Sequence, residues 1–348
     1  MITSDAILKG RVCMKFQKGV ALVTAAFMVG MAFSGCAGGS STTNAANKSD
    51  AQGAAGKKIV MGFAQVGAES GWRTAETNSI KEIPTKHPNI ELKFSDAQQK
   101  QENQLKAVRT FIAQKVDVIA IDPVVSTGWD TVLKEAQQAK IPVVIVDRSV
   151  DSSPSLYDAF LGSDMEQEGK NAAKVVVDQF GSNPCNIAEI QGTMGSSAQT
   201  GRDKGFEEGI QGHSNIKIIK KESGDFLRAK GKEVMEAFLK SDSTNTINCL
   251  VSQNDDMAVG AVQAIEEAGK KPGKDIAIVS FDGIKDMFQL MSQGKSNAIV
   301  ECNPLLGPQL ADLATAIVNK SDYQKVTKSN EKVFLQKDAA AELPNRKY

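Results

Sequence analysis

The sequence predicts an α/β protein built from two similar, doubly wound parallel-sheet domains. From Lys58 onward, short runs of Val, Ile and Leu alternate with longer amphipathic stretches. Short continuous apolar runs are typical of strands buried on both faces of a parallel sheet, and their alternation with helices is typical of a doubly wound fold. After four strand–helix repeats the pattern starts again, which indicates a second domain of the same kind.

The first half of the chain contains four predicted strands separated by helices. The strands are KIVMGFAQ (58–65), IELKFSDA (90–97), VDVIAIDPV (116–124) and IPVVIVDR (141–148). The first helix is predicted from Trp72 to about Lys86, ending before Pro88, because the residue before a proline disfavours the helical conformation. A second helix is expected over 101–115, and a third, capped by Ser126 or Thr127, is expected to end at Ala139.

The second half repeats this alternation after the segment DAFLGSD (158–164). The predicted strands are CNIAEIQG (185–192), IKIIKKESGD (216–225), INCLVSQND (247–255), DIAIVSFDG (275–283), SNAIVEC (296–302) and KVFLQKDA (332–339). Helices are expected over 165–180, 198–211, 227–240, 256–268, in a segment after 283, and over 305–319. Two successive halves of this kind predict two domains whose strand ends face each other across a cleft.

Polar residues follow directly on three of the apolar runs. Asp147–Arg148, Asn254–Asp255 and Asp282 stand at the carboxyl ends of predicted strands, which is where open α/β sheets bind ligands. We interpret Asp255 as a helix cap or packing residue. Carboxylate, amide and guanidinium groups at this edge predict a site for a polar, uncharged small molecule.

Composition excludes several classes of function. The chain of 348 residues carries 41 basic and 41 acidic side chains, which gives no argument for binding nucleic acid, an anionic membrane surface or an acidic substrate. It contains two histidines, His87 and His213, so a histidine-based metal or acid–base site is not expected. We predict no cofactor and no metal.

The N-terminus resembles a bacterial lipoprotein signal. Lys15 and Lys18 precede an apolar stretch over 19–33, which is too short for an ordinary membrane span. Ser34-Gly35-Cys36 then places small residues before a cysteine, so residues 1–36 are predicted to be the signal segment, with Cys36 lipidated. The alternative is a cleaved signal with an incidental cysteine. Residues 37–57 are small and polar and predict a flexible tether.

Two cysteines stand near the start of predicted strands in the second half. If the strands of Cys185 and Cys249 are neighbours, an oxidising compartment would allow a disulfide. The bridge would close a loop of about 64 residues and contribute about 4 kcal/mol in the chain-entropy model. Two buried free thiols are the alternative, and Cys302 is expected to be unpaired.

The motifs together resemble the type I periplasmic sugar-binding proteins, the ribose-binding class of ABC-importer receptors, and among them the galactofuranose-binding group. The similarity covers essentially all of residues 58–348. It rests on these segments: VGAESGWR (66–73), DAQQKQENQ (96–104), DPVVSTGW (122–129), VDRS (146–149), QGTMGSS (191–197), RDKGF (202–206), SGDFLRAKGKEVME (223–236), NDDMAVGAVQAI (254–265) and FDG (281–283).

This resemblance implies a set of sugar-binding residues. Asp147 and Arg148 would hold ring hydroxyls from the first domain, and Arg202, Asn254 and Asp282 would do so from the second. The alternatives are an interdomain ion pair or a helix cap for the first two, a surface position for Arg202 and a helix cap for Asn254. The aromatic side chains expected to stack on the sugar ring, or else to belong to the core, are Trp72 and Phe226.

The first-helix motif points to the kind of sugar. Ribose-type receptors carry two aromatic residues there, whereas here the second place is Arg73, preceded by Glu69 and Ser70. This exchange replaces a stacking face with hydrogen-bonding capacity, which favours a galactofuranose-like ligand over ribose. Glu301 stands at the hinge position where ribose receptors place Gln, and either binds a hydroxyl or braces the hinge.

The resemblance also implies the domain boundaries and the mechanism. The first domain would comprise 58–163 and 302–330, and the second 164–301 and 331–348, joined by a three-segment hinge. Ligand contacts from both sides would close the cleft, and the permease of an ABC importer would recognise the closed form. We therefore expect a monomeric, exported, lipid-anchored receptor that delivers a monosaccharide.

Three other functions use the same fold or site. A sugar sensor would present its ligand to a chemoreceptor or histidine kinase, and the sequence does not separate it from an importer receptor. A transcription regulator would carry an N-terminal helix-turn-helix, where this chain has a signal-like segment and tether. A glycosidase would need a protonated carboxyl group among Asp147, Asp282 and Glu301, whereas Arg148 and Arg202 are expected to lower the pKa of neighbouring carboxyl groups.

Overall fold

The computed structural model describes residues 58–348 of the chain. The predictions for the signal segment, for Cys36 and for the tether lie outside these residues. No helix within the described range is long and apolar enough to cross a membrane.

Twelve strands and eleven α-helices alternate along the described chain. The strands are β1 Ile59–Gln65, β2 Ile90–Asp96, β3 Val118–Ile121, β4 Val143–Asp147, β5 Ala159–Gly162, β6 Cys185–Gln191, β7 Ile216–Ser223, β8 Cys249–Ser252, β9 Ala277–Asp282, β10 Ala298–Glu301, β11 Val326–Lys328 and β12 Val333–Leu335. The helices are α1 Gly71–Lys81, α2 Ile83–Lys86, α3 Gln101–Ala113, α4 Asp130–Gln138, α5 Met165–Phe180, α6 Ser197–Gly209, α7 Arg228–Ser241, α8 Asp255–Glu267, α9 Lys285–Ser292, α10 Gly307–Val318 and α11 Ala339–Glu342.

The strands form two six-stranded sheets with equivalent strand orders. The first has the order β11-β5-β4-β3-β1-β2 and the second the order β12-β10-β9-β8-β6-β7. All neighbouring strands are parallel except β12, which is antiparallel to β10. The predicted fold class, two similar doubly wound halves, is therefore confirmed, and the chain passes between the sheets three times: after β5, after β10 and between β11 and β12.

Each sheet is buried on both faces, as the apolar strand sequences predict. In the first half, β1 sends Met61 and Phe63 into one core cluster and Ala64 into another. In the second half, β6 likewise divides its residues, with Ile190 in one cluster and Ile187 in the other. Alternation of side chains to opposite faces of a strand explains this division, because helices cover both faces.

Local chemistry corrects three of the predicted elements. The cap expected from Ser126 or Thr127 is not formed, because α4 begins at Asp130 after Trp129 and Ser126 Oγ donates to Asp151 at 2.9 Å instead. The helix expected over 72–86 is two helices, because Pro84 lacks an amide hydrogen and stands in the first turn of α2. The strand expected over 332–339 ends at Leu335, where a short 3₁₀ segment begins and Asp338 accepts a hydrogen bond from the Leu335 amide at 3.0 Å.

The two cysteines of the second sheet are neighbours. Cys185 opens β6 and Cys249 opens β8, two paired strands, and both side chains are buried free thiols. A hydrogen bond with Cys185 and burial raise the pKa of Cys249 well above its usual range. The side chains are therefore adjacent, and the disulfide between them stays a prediction.

Candidate functional site

The carboxyl ends of the two sheets enclose one small cavity. Ten of the eleven residues predicted to bind a ligand line it. The lining residues are Glu69, Ser70, Trp72, Arg73, Asp147, Arg148, Met165, Ala198, Arg202, Phe226, Asn254, Asp282 and Cys302.

The wall from the first half is built around Arg73, which is 2% exposed. Helix α1 positions it, since Ser70 caps this helix by accepting a hydrogen bond from the Arg73 amide at 3.0 Å. The guanidinium donates to Glu69 Oε1 at 3.0 Å, to Glu76 Oε2 at 2.5 Å and to Asp147 Oδ2 at 2.8 Å, and also to Asp122. One guanidinium therefore holds four carboxyl groups in place.

Electrostatics in this network follow from burial. Desolvation alone would lower the pKa of Arg73, but Asp122 and the other carboxylates raise it well above its usual range. Burial raises the pKa of Glu76, and raises that of Asp122 strongly, although Arg73 opposes both shifts. The pKa of Glu69 is instead lowered, because the attraction of Arg73 and Arg148 outweighs its burial. Burial of so many carboxyl groups together therefore disfavours the ionised form of Glu76 and Asp122 in particular.

Glu76 and Asp122 are functional neighbours that the sequence analysis missed. A signal for Asp122 was present, since it directly follows β3 just as Asp147 ends β4. Glu76 stands three residues after Arg73 on α1, which places both on one helix face. Neither lines the cavity; both act through Arg73.

Arg148 presents an unpaired donor at the cavity wall. Its Nη2 lies 3.3 Å from Glu69 Oε1, and its guanidinium lies 5.1 Å from the ring centroid of Phe226. Among the described residues, its Nε has no hydrogen-bond partner, and neither has Oε2 of Glu69. Leaving such buried groups unpaired costs about 1–3 kcal/mol each, so both atoms are suited to pair with a polar ligand.

The wall from the second half is built around Arg202. Its Nε donates to Glu168 Oε2 at 2.7 Å and its Nη1 to the carbonyl oxygen of Gln253 at 2.6 Å. Its Nη2 lies 3.7 Å from Asp282 Oδ1, which is longer than a hydrogen bond. This geometry fixes the plane of the guanidinium and leaves its Nη2 edge and the Asp282 carboxylate beside the cavity.

The pKa of Asp282 differs from expectation. Burial raises it well above its usual range, and the attraction of Arg202 does not compensate. The expectation that the arginines would keep neighbouring carboxyl groups at low pKa is therefore wrong for this residue, because Arg202 already pairs closely with Glu168.

Asn254 is both a helix cap and a wall residue. Its Oδ1 accepts from the Met257 amide at 2.9 Å at the start of α8, and its Nδ2 donates to the Phe226 carbonyl oxygen at 3.1 Å. One amide hydrogen is left for a ligand. Asp255 lies outside the cavity and pairs with Ser280 and with the amides of Gly283 and Ile284, in agreement with a packing role.

Two aromatic rings complete the wall. Trp72 is buried and donates through Nε1 to the Cys302 carbonyl oxygen at 2.7 Å. Phe226 has a φ of +63°, and Asp147 and Asp282 also have positive φ, at +59° and +117°. Such backbone strain costs about 1–3 kcal/mol per residue and clusters at functional sites.

Glu301 is the one predicted residue that the structure does not bring to the cavity. Its carboxylate accepts from Arg346 Nη1 at 2.9 Å and from the Lys332 amide at 3.2 Å. The Lys332 contact holds the second and third chain crossings together, and the Arg346 contact ties the second crossing to the C-terminal segment, which favours the bracing alternative. The sequence analysis missed three lining residues, Met165, Ala198 and Cys302, because small and apolar residues carry no chemical signature.

Direct contacts hold the two halves together around the cavity. The Gly71 amide donates to Asp256 Oδ2 at 2.7 Å, and the Ser149 amide donates to Ser197 Oγ at 2.8 Å. The Ser126 amide donates to the Gly195 carbonyl oxygen at 2.9 Å. The structure is therefore that of a closed cleft.

The chain is similar to a family of known proteins over most of its length. Residues 61–322 match the family model described as a periplasmic binding protein domain. The chain is 48% identical over 292 residues to the galactofuranose-binding protein YtfQ of Escherichia coli strain K12, covering 83% of this chain and 92% of that protein.

Two solved structures are similar over 83% of this chain and 95% of theirs, each with a TM-score of 0.80. One is a Mycobacterium smegmatis protein in complex with β-D-fucofuranose, at 49% identity. The other is the periplasmic binding protein component of the arabinose ABC transporter of Shewanella sp. ANA-3, bound to α- and β-L-arabinofuranose, at 50% identity.

Proposed function

Because the chain belongs to the periplasmic binding protein domain family, we propose that it is an exported receptor that binds a monosaccharide in its furanose form and delivers it to an ABC importer. The observation that carries this proposal is the closed cavity lined by carboxylates, guanidinium groups and two aromatic rings. Sugar hydroxyls donate and accept hydrogen bonds, so they match this mixture of donors and acceptors.

The furanose preference is supported from two sides. Similar proteins are named for galactofuranose or are bound to fucofuranose or arabinofuranose. In this chain, Arg73 is locked by four carboxyl groups where a second aromatic ring would otherwise stand. A site built from fixed hydrogen-bonding groups discriminates strongly, because a sugar that lacks a matching hydroxyl leaves a buried group unpaired.

Roles follow from position in the cavity. Arg148 and Asp147 hold hydroxyls from the first half, and Arg202 and Asp282 hold them from the second. Trp72 and Phe226 pack against the C–H faces of the sugar, and Asn254 donates one hydrogen bond. Glu69, Ser70 and Arg73 complete the polar wall. The relatives are solute-binding proteins, and we propose binding without catalysis.

Closure explains how binding becomes a transport signal. We assign 58–163 with 302–330 to one domain and 164–301 with 331–348 to the other, in accord with the strands of the two sheets. A sugar that contacts both halves stabilises the closed form over the open one, and the permease recognises the closed form. We further propose that lipidated Cys36 anchors the receptor and that 37–57 tethers it.

Calorimetric titration of residues 37–348 with galactose, arabinose, ribose and glucose tests this function. At least one furanose-forming sugar should bind tightly, and Asp282→Asn should weaken binding because it replaces one acceptor oxygen of the wall by an amide group that can only donate. Asp286→Asn is the matched control, since Asp286 pairs with Arg228 outside the cavity. Absence of binding to any monosaccharide would refute the proposal.

A further inference from the structure

One group of side chains, buried except for the half-buried Glu331, joins the three segments that carry the chain between the sheets. We call Ser163, Glu168, Cys302 and Glu331 the hinge cluster. Ser163 follows β5, Cys302 follows β10 and Glu331 lies between β11 and β12, while Glu168 belongs to the first turn of α5. The contacts among these side chains therefore depend on the relative positions of all three crossings.

Glu331 is the residue that ties the crossings together. Its Oε1 accepts hydrogen bonds from Ser163 Oγ and from the Asn303 amide, the latter at 3.0 Å. A single carboxylate therefore fixes the third crossing to the first and the second. Removing it would leave the Asn303 amide and the Ser163 hydroxyl without this partner.

Two carboxyl groups meet in this cluster. One carboxylate oxygen each of Glu168 and Glu331 and the sulfur of Cys302 lie within 4.8 Å of one another. Oε2 of Glu168 pairs with Arg202, whereas its Oε1 has no hydrogen-bond partner among the described residues, and the residue is 2% exposed. Two carboxylates so close in a buried site disfavour simultaneous ionisation.

The surrounding charges do not relieve this repulsion. Arg202 is the cation that faces the cluster, and it also attracts Asp282. The other nearby cations already pair with their own carboxylates, namely Arg73 with Asp147, Lys328 with Asp164, and Arg346 with Glu301. Burial and then Glu168 raise the pKa of Glu331 to about 8, and burial also raises the pKa of Glu168 and that of the Cys302 thiol.

We propose that Glu331 is a positioning residue of the hinge and that it shares one proton with Glu168 in the closed form, so that sugar binding takes up a proton. This inference rests on the proposed sugar-binding function. Two residues link the sugar cavity to the hinge cluster. Cys302 lines the cavity and belongs to the cluster, and Arg202 lines the cavity and donates to Glu168. A bound sugar keeps water away from these residues and holds the hinge closed.

The direction of the pH dependence follows from the sign of the shift. Burial raises the pKa of Glu331 to about 8 in the closed form, and we expect opening of the cleft to hydrate this carboxyl group and return its pKa toward the ordinary value of 4.5. A group whose pKa rises on closure binds its proton more tightly when closed, so affinity is greatest in acid and falls as pH rises through about 8. Between the two values the sugar affinity should fall by up to about tenfold per pH unit.

Calorimetry in buffers of different ionisation enthalpy tests the inference with residues 37–348 and the sugar that binds tightest. At a pH of about 6.5, between the two pKa values, wild type should take up close to one proton per sugar. Glu331→Gln should reduce the uptake to near zero and flatten the pH profile of affinity. EDTA is present throughout, so that proton exchange is measured in the absence of metal ions.

Asp164→Asn is the matched control, because it removes one carboxylate from the same hinge region at an exposed position. Asn keeps the helix cap that Asp164 provides to α5, and proton uptake should stay as in wild type. Sugar binding without proton uptake in wild type, or uptake retained in Glu331→Gln, would overturn the inference. If Glu331→Gln does not fold, a wild-type affinity that is constant across this pH range would overturn it. Absence of sugar binding would refute the proposed function instead.

Discussion

Substitution of Gly192 by Ala should weaken sugar binding although residue 192 does not line the cavity. A Cβ atom at this position would lie 1.9 Å from the Phe226 ring, and the ring must move by about 1.5 Å to restore an ordinary contact of 3.4 Å. Phe226 lines the cavity and packs beneath Arg148. Because Phe226 lines the cavity, we expect a ring displaced from residue 192 to move into it.

The expected loss of sugar affinity follows from the displacement of the Phe226 ring. Overpacking costs about 1–3 kcal/mol, and in the sugar-free protein part of this cost is relieved when Phe226 moves into the cavity. The bound sugar then meets the displaced ring, so most of the cost should appear in binding. We expect a loss of about 1–2 kcal/mol, or about 5- to 30-fold in Kd.

Calorimetric titration measures the change in the free energy of sugar binding, and chemical denaturation measures the change in the free energy of unfolding. Gly192→Ala should raise Kd while lowering the free energy of unfolding by less than the loss in binding. The double variant Gly192→Ala with Phe226→Leu is the control, since a smaller side chain removes the clash: it should recover stability but not affinity. Unchanged affinity in Gly192→Ala would refute the role given to Phe226.

Three further predictions concern other parts of the chain. Arg73→Met should abolish tight sugar binding and destabilise the fold by about 3–5 kcal/mol, because it leaves the buried carboxyl groups around it without their cation; unchanged sugar affinity would contradict the network. Oxidised protein of residues 37–348 should titrate one thiol per chain under denaturing conditions, that of Cys302, and reduction of the Cys185–Cys249 bridge should cost about 4 kcal/mol of stability; three free thiols would show that no bridge forms. Cys36→Ala should release the protein from cell membranes, and membrane retention would contradict the lipid anchor.

The sequence predicted the sheets better than their edges. Strands such as β4 and β9 are buried on both faces and therefore read as continuous apolar runs. By contrast, β11 has three residues, is largely exposed and lies at an edge of the first sheet. Its pairing with β5 comes from the return of the chain after α10, which no local pattern records.

The sequence predicted those site residues that lie at the carboxyl ends of strands. Asp147 and Asp282 end apolar runs, and the topology of the two sheets places them at the carboxyl ends of β4 and β9, where both line the cavity. Glu301 also ends a strand, but β10 stands nearer the edge of its sheet and Arg346, from the far end of the chain, engages its carboxylate. Such contacts depend on side chains remote in sequence.

The carboxyl groups around Arg73 were missed for a similar reason. Sequence spacing suggests that Glu76 shares a helix face with Arg73, but only the fold brings Asp122 to the same guanidinium. The raised pKa of Asp282 likewise depends on how completely it is buried and on the closer pairing of Arg202 with Glu168. The burial of a carboxyl group and the competition of several groups for one arginine arise only in the folded chain, so the pKa of Asp282 could not be predicted from the sequence.

The ring form of the bound sugar tests the central claim most directly. Carbon-13 NMR of [1-¹³C]galactose, or of labelled arabinose if that sugar binds tighter, distinguishes anomeric carbons of furanose and pyranose rings by their chemical shifts. Protein of residues 37–348 added in excess should convert the sugar signal to a single bound furanose resonance. A bound pyranose resonance would contradict the furanose assignment.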